Sequence, residues 1–479
     1  MPPLSYTITA HPTKEIWISL CVFISPEKLL IFSITAINMM RLFFGWIFVL
    51  GSLPLLWAQQ QPFVRVADGH FVEGDRTYRF LGTNLWYAMN LGAASESDRA
   101  RLVRELDRLQ AMGVQNIRLM AATEGAPLMH RLSPTSQPAA GKYDEQLLLG
   151  LDFTLAEMAK RDMKAVLCLN NFFAWSGGMS QYVAWATQTE IPFPDQQGHT
   201  WDEYQRYAAQ FYTNAQAKAL YKKYVRMLLK RRNQVNGRRY KKDPTIMAWQ
   251  LANEPREYGQ ADAYIDWVDK TARFIHRKDK KHLVSIGSEG KVADYAGSAW
   301  EQLAHNPHID YLTLHLWVEN WSWYNPKKAE TTFDSARIKA SAYISKHLEM
   351  AKKAGKPLVL EEFGIGRDHG SMDPAASVQY RNRYYQEMLD LCFKDKNGHY
   401  GAAGANFWSW AGEAMPVEPG AFWQPGQPFG GDPPHERQGW YSVFLSDQST
   451  IDLLKQFARQ IAQAGAPDSK DSKPNLKTE

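Results

Sequence analysis

The chain has 479 residues, a formal net charge of +5 and 22% charged residues, and 45% of it is hydrophobic, values ordinary for a globular protein with a substantial core. The basic residues are diffuse apart from runs such as Lys222 to Arg232 and Arg238 to Lys242; these read as solvated helix faces and argue against a nucleic-acid partner. The 17 Trp, 22 Tyr and 22 Phe are less ordinary. They fit either a bulky core or a set of flat faces on which the C–H faces of sugar rings stack.

From the N-terminus, residues 1–39 resemble no organised domain and read as a doubtful upstream extension. At Met40 the text changes to MRLFFGWIFVLGSLPLLWAQQQ: one positive charge at Arg41, an apolar run, then Ala58 before the glutamines. That is the layout of a secretory signal over 40–58. Cleavage near Ala58 and a secreted product, or a periplasmic or cell-surface one in a bacterium, are expected; an uncleaved membrane anchor is the alternative. Cys21 leaves with this segment. Cys168 and Cys392 are far apart, show no metal-ligand spacing and are expected as free thiols.

After residue 62, apolar β-rich runs alternate with amphipathic helical stretches. Tyr78–Tyr87 is strand-like and precedes a helix over Arg101–Met112. Val114–Met120 precedes Gln146–Arg161, Lys164–Asn171 precedes Asn214–Arg232, and Thr245–Asn253 precedes Ala261–His276. Leu283–Gly287 is a short run. Ile309–Trp317 leads to Ser335–Ala354, Pro357–Glu362 to Ala376–Phe393, and Ala405–Trp410 to a long Pro/Gly-rich loop and the helix Ile451–Ala464. Continuously apolar strands are covered on both faces, as in a parallel sheet. Eight such repeats, with no GxGxxG after the first, predict one closed (β/α)8 barrel with long βα loops over 62–465, and no dinucleotide cofactor. The polar tail 466–479 is expected to be disordered.

Polar residues gather where these strands end, the face on which barrel enzymes place their sites. The second run ends near Arg118, the fourth in Asn253-Glu254-Pro255, the sixth in His315-Leu316-Trp317, the seventh in Glu361-Glu362-Phe363-Gly364, and the eighth carries Trp408. At a last strand residue the alternation of faces relaxes, and Pro255 is expected to stop the ladder while holding Glu254 extended. Glu361 and Glu362 compete as its partner. Alternation groups Leu358, Leu360 and Glu362 on one face and Val359 and Glu361 on the other, but both faces of a barrel strand are apolar. The choice of Glu362, with Glu361 as a supporting or helix-facing residue, therefore rests more on the family pattern given below than on periodicity. One carboxyl that protonates a leaving oxygen and another that attacks the anomeric carbon are the equipment of glycoside cleavage with retention. The first must start protonated and the second ionised, so their environments must differ. Arg118 is placed to keep Glu362 ionised, and His315 to tune the pair by hydrogen bonding.

Taken in order, GTNLWY at 82–87, NIRL at 116–119, AWQLANEPR at 248–256, GSEG at 287–290, HLWVENW at 315–321, LEEFG at 360–364 and NFWSW at 406–410 resemble glycoside hydrolase family 5 of clan A, in its β-mannanase branch. RDHGSMDP at 367–374 and GDPPHERQGWYSVF at 431–444 are similar to bacterial members of that branch. The resemblance implies Glu254 as acid/base and Glu362 as nucleophile, with Asn253 on the substrate 2-hydroxyl. It also implies Arg118 and His315 around the nucleophile, Trp408 as a stacking platform, Arg256 and Trp321 along the cleft, and Trp86 and Glu289 near it. One departure stands out. Many members carry a Tyr two residues after the His, where this chain has Trp317, whose indole donates but does not accept.

The implied activity is hydrolysis of internal β-1,4-mannosidic bonds in mannan, glucomannan or galactomannan. The expected partners are β-mannan polysaccharides and manno-oligosaccharides, with no metal, organic cofactor or obligate protein partner. The alternatives are an exo-acting β-mannosidase, in which loops 172–205 or 412–440 close one end of the cleft, a β-1,4-glucanase, and a non-catalytic carbohydrate-binding protein.

Overall fold

The computed structural model describes residues 61–128, 130–291, 299–393 and 401–464. The expected upstream extension over 1–39, the expected signal segment over 40–58 and the expected disordered tail over 466–479 lie outside the described residues. Among the described residues no helix is long and apolar enough to cross a membrane.

Thirteen strands are described: β1 (Val64–Ala67), β2 (His70–Glu73), β3 (Arg76–Thr77), β4 (Phe80–Asn84), β5 (Asn116–Met120), β6 (Lys164–Cys168), β7 (Ile246–Gln250), β8 (Leu283–Ser285), β9 (Leu312–Leu316), β10 (Leu358–Phe363), β11 (Gly404–Phe407), β12 (Trp410–Gly412) and β13 (Val443–Phe444). The helices are α1 (Ala88–Ala93), α2 (Glu96–Ala111), α3 (Glu145–Lys160), α4 (Gly178–Thr187), α5 (Trp201–Ala209), α6 (Ala215–Lys230), α7 (Ala261–Lys278), α8 (Ala299–Ala304), α9 (Ala329–Ala354), α10 (Gln379–Phe393) and α11 (Gln448–Ala464).

Strands β4 to β11 form one parallel sheet in the order β8-β7-β6-β5-β4-β11-β10-β9. Between its two end strands, the Asp310 N–H bonds to the Val284 carbonyl and the His315 N–H to the Glu289 carbonyl, both at 2.9 Å. The Thr313 hydroxyl adds a bond to the Ser288 carbonyl at 2.8 Å. These bonds draw the ends together into the (β/α)8 barrel predicted from the eight repeats. The seven barrel strands longer than β8 run four to six residues and are buried throughout, as continuous apolar runs require.

Most barrel strands are shorter than their apolar runs, because the run continues into the loop at the catalytic face; Thr245–Asn253 pairs only over Ile246–Gln250. The exception is β10, which keeps the length of Pro357–Glu362 but lies one residue further along. The eighth run breaks at Trp408-Ser409, joined by a cis peptide, and Trp410–Gly412 turns away to pair with Val443–Phe444. The antiparallel β1–β2–β3 sheet has no counterpart in the sequence reading, although Asp68-Gly69, with φ of +50° and +75°, carries the hairpin signal. Its Phe71 packs with Phe80, Tyr311, Val359 and Met247 at the N-terminal ends of the barrel strands and plugs that end. The segment 172–205 is no plain loop, since it holds α4 and the start of α5. Cys168 and Cys392 are buried free thiols, as expected.

The loops after β10 and β11 are bolted together by buried charge. Asp447 accepts two bonds from Arg367, each 2.8 Å, and lies 3.4 Å from Arg381. Arg381 in turn donates to the Ile365 and Ser442 carbonyls. Asp447→Ala leaves two buried guanidinium groups without their counter-charge, which costs about 3–5 kcal/mol. Urea unfolding followed by circular dichroism is expected to show a midpoint lowered to match.

Candidate active site

Arg118 projects from β5 into the barrel mouth and is 3% exposed. Its Nε donates to Gln250 Oε1 at 2.8 Å, one Nη to Asn84 Oδ1 at 3.1 Å, and the other to Asn253 Oδ1 at 2.7 Å. It also donates to Glu362 Oε1 and lies 3.4 Å from Glu361 Oε2. The guanidinium fork thus reads groups from β4, β7 and β10 at once, a geometry that the point charge of a lysine does not reproduce.

Beyond the end of β7, Asn253 and Glu254 both reach the cleft side. Asn253 donates from Nδ2 to Asn171 Oδ1 at 3.1 Å. Glu254 is not extended: its φ is +46°. The preference imposed by Pro255 is overruled by tertiary contacts, the Glu254 N–H bonding the Gly287 carbonyl at 2.9 Å and its carboxylate meeting His315. Left-handed backbone in a non-glycine residue costs on the order of 1–3 kcal/mol and persists only where such contacts fix it.

The seventh barrel strand, β10, settles its two adjacent glutamates with a register shift against β9 between Leu360 and Glu362. Both side chains consequently face inward. Glu361 is the supporting residue and not a helix-facing one: it accepts from Gln250 Nε2 at 2.9 and 2.7 Å and stands 3.5 Å from His315 Nε2. Glu362 accepts from Trp317 Nε1 at 3.2 Å. The indole therefore takes up the donor role in which the family pattern has a Tyr. His315 Nδ1 lies 2.6 Å from Glu254 and 3.4 Å from Glu362. Ligand atoms of Glu254, His315 and Glu362 lie within 4.8 Å of one another. As a metal-holding set the three are compromised by Arg118, whose guanidinium already bonds Glu362.

Next to the reacting pair the buried ionisable groups are Arg118, His315, Glu254, Glu361 and Glu362, two cations facing three carboxyls, with the buried Glu289 balanced separately by Arg256. One proton on the carboxyls makes the set neutral. Burial would lower His315, but Glu362, Glu254 and Glu361 push it up to about 10. Burial would raise Glu361, yet Arg118, His315 and Gln250 hold it below the usual range. Glu254, raised by burial, is brought down by the His315 bond and charge. Glu362 is raised by burial to about 7 against His315 and Arg118. The environments differ as expected, but in the free site their order is the reverse of the expected one. His315 stands nearer Glu254, so its charge favours ionisation there, and the shared proton falls to the Glu362 side.

The remaining predicted residues are distributed around this core. Trp408 lies edge-on to Trp317 at 5.7 Å, and its Nε1 has no hydrogen-bond partner among the described residues. Arg256 clasps Glu289 through two bonds of 2.7 and 2.8 Å and also donates to Gln205. Trp321 is half-buried against Trp323 and Tyr343, at the rim rather than against the carboxyls. Trp86 donates to the Gly431 carbonyl at 2.7 Å and packs on Trp175 at 5.4 Å, anchoring a loop.

Several members of the site had no place in the sequence reading. Asn84 and Gln250 were visible only as single polar residues inside apolar runs. His435 and Glu436 sit on the loop 431–444, whose path no local pattern reveals. His435 lies parallel to Trp175 at 6.0 Å, and Glu436 feels the charges of Glu362 and Glu254 and is raised well above the usual carboxyl range by burial.

Residues 61–466 match the family model described as GH family 5 beta-mannosidase-like. The chain is 30% identical over 383 residues to mannan endo-1,4-beta-mannosidase 1 of Arabidopsis thaliana, covering 75% of this chain and 85% of that protein. It is 32% identical over 352 residues to mannan endo-1,4-beta-mannosidase 5 of Solanum lycopersicum, covering 68% and 78%. The crystal structure of a glycoside hydrolase family 5 mannosidase from Rhizomucor miehei superposes with a TM-score of 0.77 at 35% identity, covering 85% of this chain and 99% of that one.

The titration of the shared proton is directly observable. A carboxyl raised in the fold is protonated below its pKa and ionised above it. Infrared difference spectra between the protein and Glu362→Gln are expected to show a protonated-carboxyl stretch that is present at pH 5.5 and fades through about pH 7. No such band at pH 5.5 would contradict the charge balance drawn above.

Proposed function

The chain belongs to the β-mannosidase-like group of glycoside hydrolase family 5, and from that premise we propose that it hydrolyses internal β-1,4-mannosidic bonds of mannan, glucomannan or galactomannan with retention, using Glu254 as acid/base and Glu362 as nucleophile. The observation that carries this reading is the spacing of the two carboxyls. One oxygen of each lies within 4.8 Å of the other, a separation that fits the roughly 5–5.5 Å of retaining enzymes and is short of the roughly 6.5–9.5 Å that leaves room for a water in inverting ones.

In the first step Glu254 gives its proton to the glycosidic oxygen while Glu362 attacks the anomeric carbon. The C–O bond to the leaving chain breaks, that chain departs as an alcohol, and a glycosyl ester remains on Glu362. Glu254, now a carboxylate, takes a proton from water as the water oxygen attacks the same carbon and frees Glu362. The one proton of the buried set must sit on Glu254 when the sugar is bound; His315 Nδ1, 2.6 and 3.4 Å from the two carboxyls, keeps the move within the cluster. Arg118 and the Trp317 indole stabilise the carboxylate that Glu362 becomes as nucleophile and again as leaving group. Asn253 spends one amide hydrogen on Asn171 and its oxygen on Arg118, which leaves a second amide hydrogen for the axial 2-hydroxyl of mannose. Trp408 lies beneath that sugar, and Arg256, Glu289, Trp86 and Trp321 shape the walls.

Export follows from the segment over 40–58, with cleavage near Ala58; its charged start, apolar run and small-residue end support this. N-terminal sequencing of the exported protein tests it.

Glu362→Ala is expected to leave no measurable turnover. Glu254→Gln is expected to slow polymer hydrolysis by about 10²–10⁴-fold, and Glu254→Ala to regain turnover of an aryl mannobioside when azide is added, yielding the β-azide. Mannohexaose is expected to give a ladder of oligomers. Mannose as sole product would favour the exo alternative, and faster cleavage of carboxymethylcellulose than of mannan the glucanase.

A further inference from the structure

Trp201 is 51% exposed and is the one aromatic among the large hydrophobic side chains that the described surface leaves open. Its position is nevertheless tightly fixed. It opens α5, where Thr200 and Glu203 bond reciprocally in a capping box. Its ring meets Phe173 at 6.1 Å and Tyr204 at 5.8 Å, both nearly at right angles. Tyr204 is fully buried and anchored by its hydroxyl to the Phe172 carbonyl at 2.7 Å. An open indole held between the half-buried Phe173 and the fully buried Tyr204 presents a flat apolar face whose position is already ordered, which lowers the entropic cost of binding there.

Its neighbours tie it to the acid/base. Phe173 lies under the Arg256 guanidinium at 5.1 Å. Arg256 follows Glu254 by two residues and donates to Gln205, which is on α5 with Trp201. Polar groups rim the same shelf: Tyr258 donates to Asp202, which also accepts from Arg206 at 2.8 Å. The sugars beyond the broken bond leave on the side of the group that protonates them, so a chain that passes Glu254 runs toward this shelf.

We propose that Trp201, edged by Phe173 and Tyr258, is a stacking platform for a β-1,4-linked mannose unit of the leaving-group side, beyond the sugar next to the cleaved bond. The platform rests on the proposed role of Glu254, and it makes affinity depend on chain length on that side. Asp202 and Arg206 supply the hydrogen-bonding rim for the sugar's hydroxyls.

The test compares mannohexaose with an aryl mannobioside, whose leaving group is too short to reach the shelf, in the wild type, Trp201→Ala and Trp201→Phe. Trp201→Ala is expected to lower the ratio of kcat/KM for mannohexaose over the aryl substrate by about tenfold, the size of a lost interface aromatic of about 1.4 kcal/mol. The change should lie in KM, with Trp201→Phe recovering most of it and melting temperatures alike. A ratio that does not change, or an equal loss on both substrates, overturns the platform while leaving the functional reading in place. A wild-type protein inactive on every β-mannoside overturns that reading and the platform together.

Discussion

Neutralising five ionisable side chains out of water is the constraint on which the site depends. Two cations and three carboxyls, all buried, balance only if the carboxyls retain one proton. Burying an unpaired charge costs several kcal/mol per ion, so neither Arg118 nor His315 can be withdrawn without leaving its partners exposed to that penalty. The same arithmetic supplies the chemistry. A retaining glycosidase needs one proton and one negative charge shared between its two glutamates, and the barrel's own charge balance leaves it that inventory before any sugar arrives.

Glu361 earns its place in this balance. Adjacent glutamates on a regular strand would point to opposite faces, and the second would have to be buried against the helical layer without a partner. The register shift between Leu360 and Glu362 turns both inward, where Glu361 is satisfied by Gln250, Arg118 and His315. It acts as a fixed anion beneath the pair, holding His315 charged and so biasing the proton between Glu254 and Glu362.

The sequence made the barrel and its reacting pair legible because both are written locally. Buried parallel strands appear as apolar runs, and the polar residues that end them mark the catalytic face. Arg118, Asn253, Glu254, His315 and Trp317 could be found in that way, and so could the pair Glu361-Glu362, between which the family pattern rather than alternation chose Glu362. Three kinds of feature stayed out of reach. The left-handed turn at Glu254 is set by Gly287 and His315, which lie far along the chain, and it defeats a local rule about the residue before proline. The order in which the pair ionises depends on the burial of Glu362 and on which of the two carboxyls one imidazole stands nearer, neither of which is written in the local sequence. The parts played by His435 and Glu436 depend on the path of a long loop, and loops carry no periodicity from which a path can be read.

That loop is nonetheless well determined in the fold, by hydrogen bonds of its own. Asp432 accepts from the Gly439 and Tyr441 N–H groups and from the Ser442 hydroxyl. Glu319, on the loop after β9, accepts from Trp440 Nε1 at 3.0 Å and from the Gly366 N–H after β10. Trp86, after β4, holds Gly431. Loops from four barrel strands are thereby joined around the carboxyl pair by the chain's own hydrogen bonds, so sugar binding need not first order them. Interaction energy that would otherwise be consumed in ordering remains for contacts that tighten as the sugar distorts toward its transition state. The rigid strand ends fix where charge develops; the crosslinked loops let the polymer's remote units contribute to stabilising it.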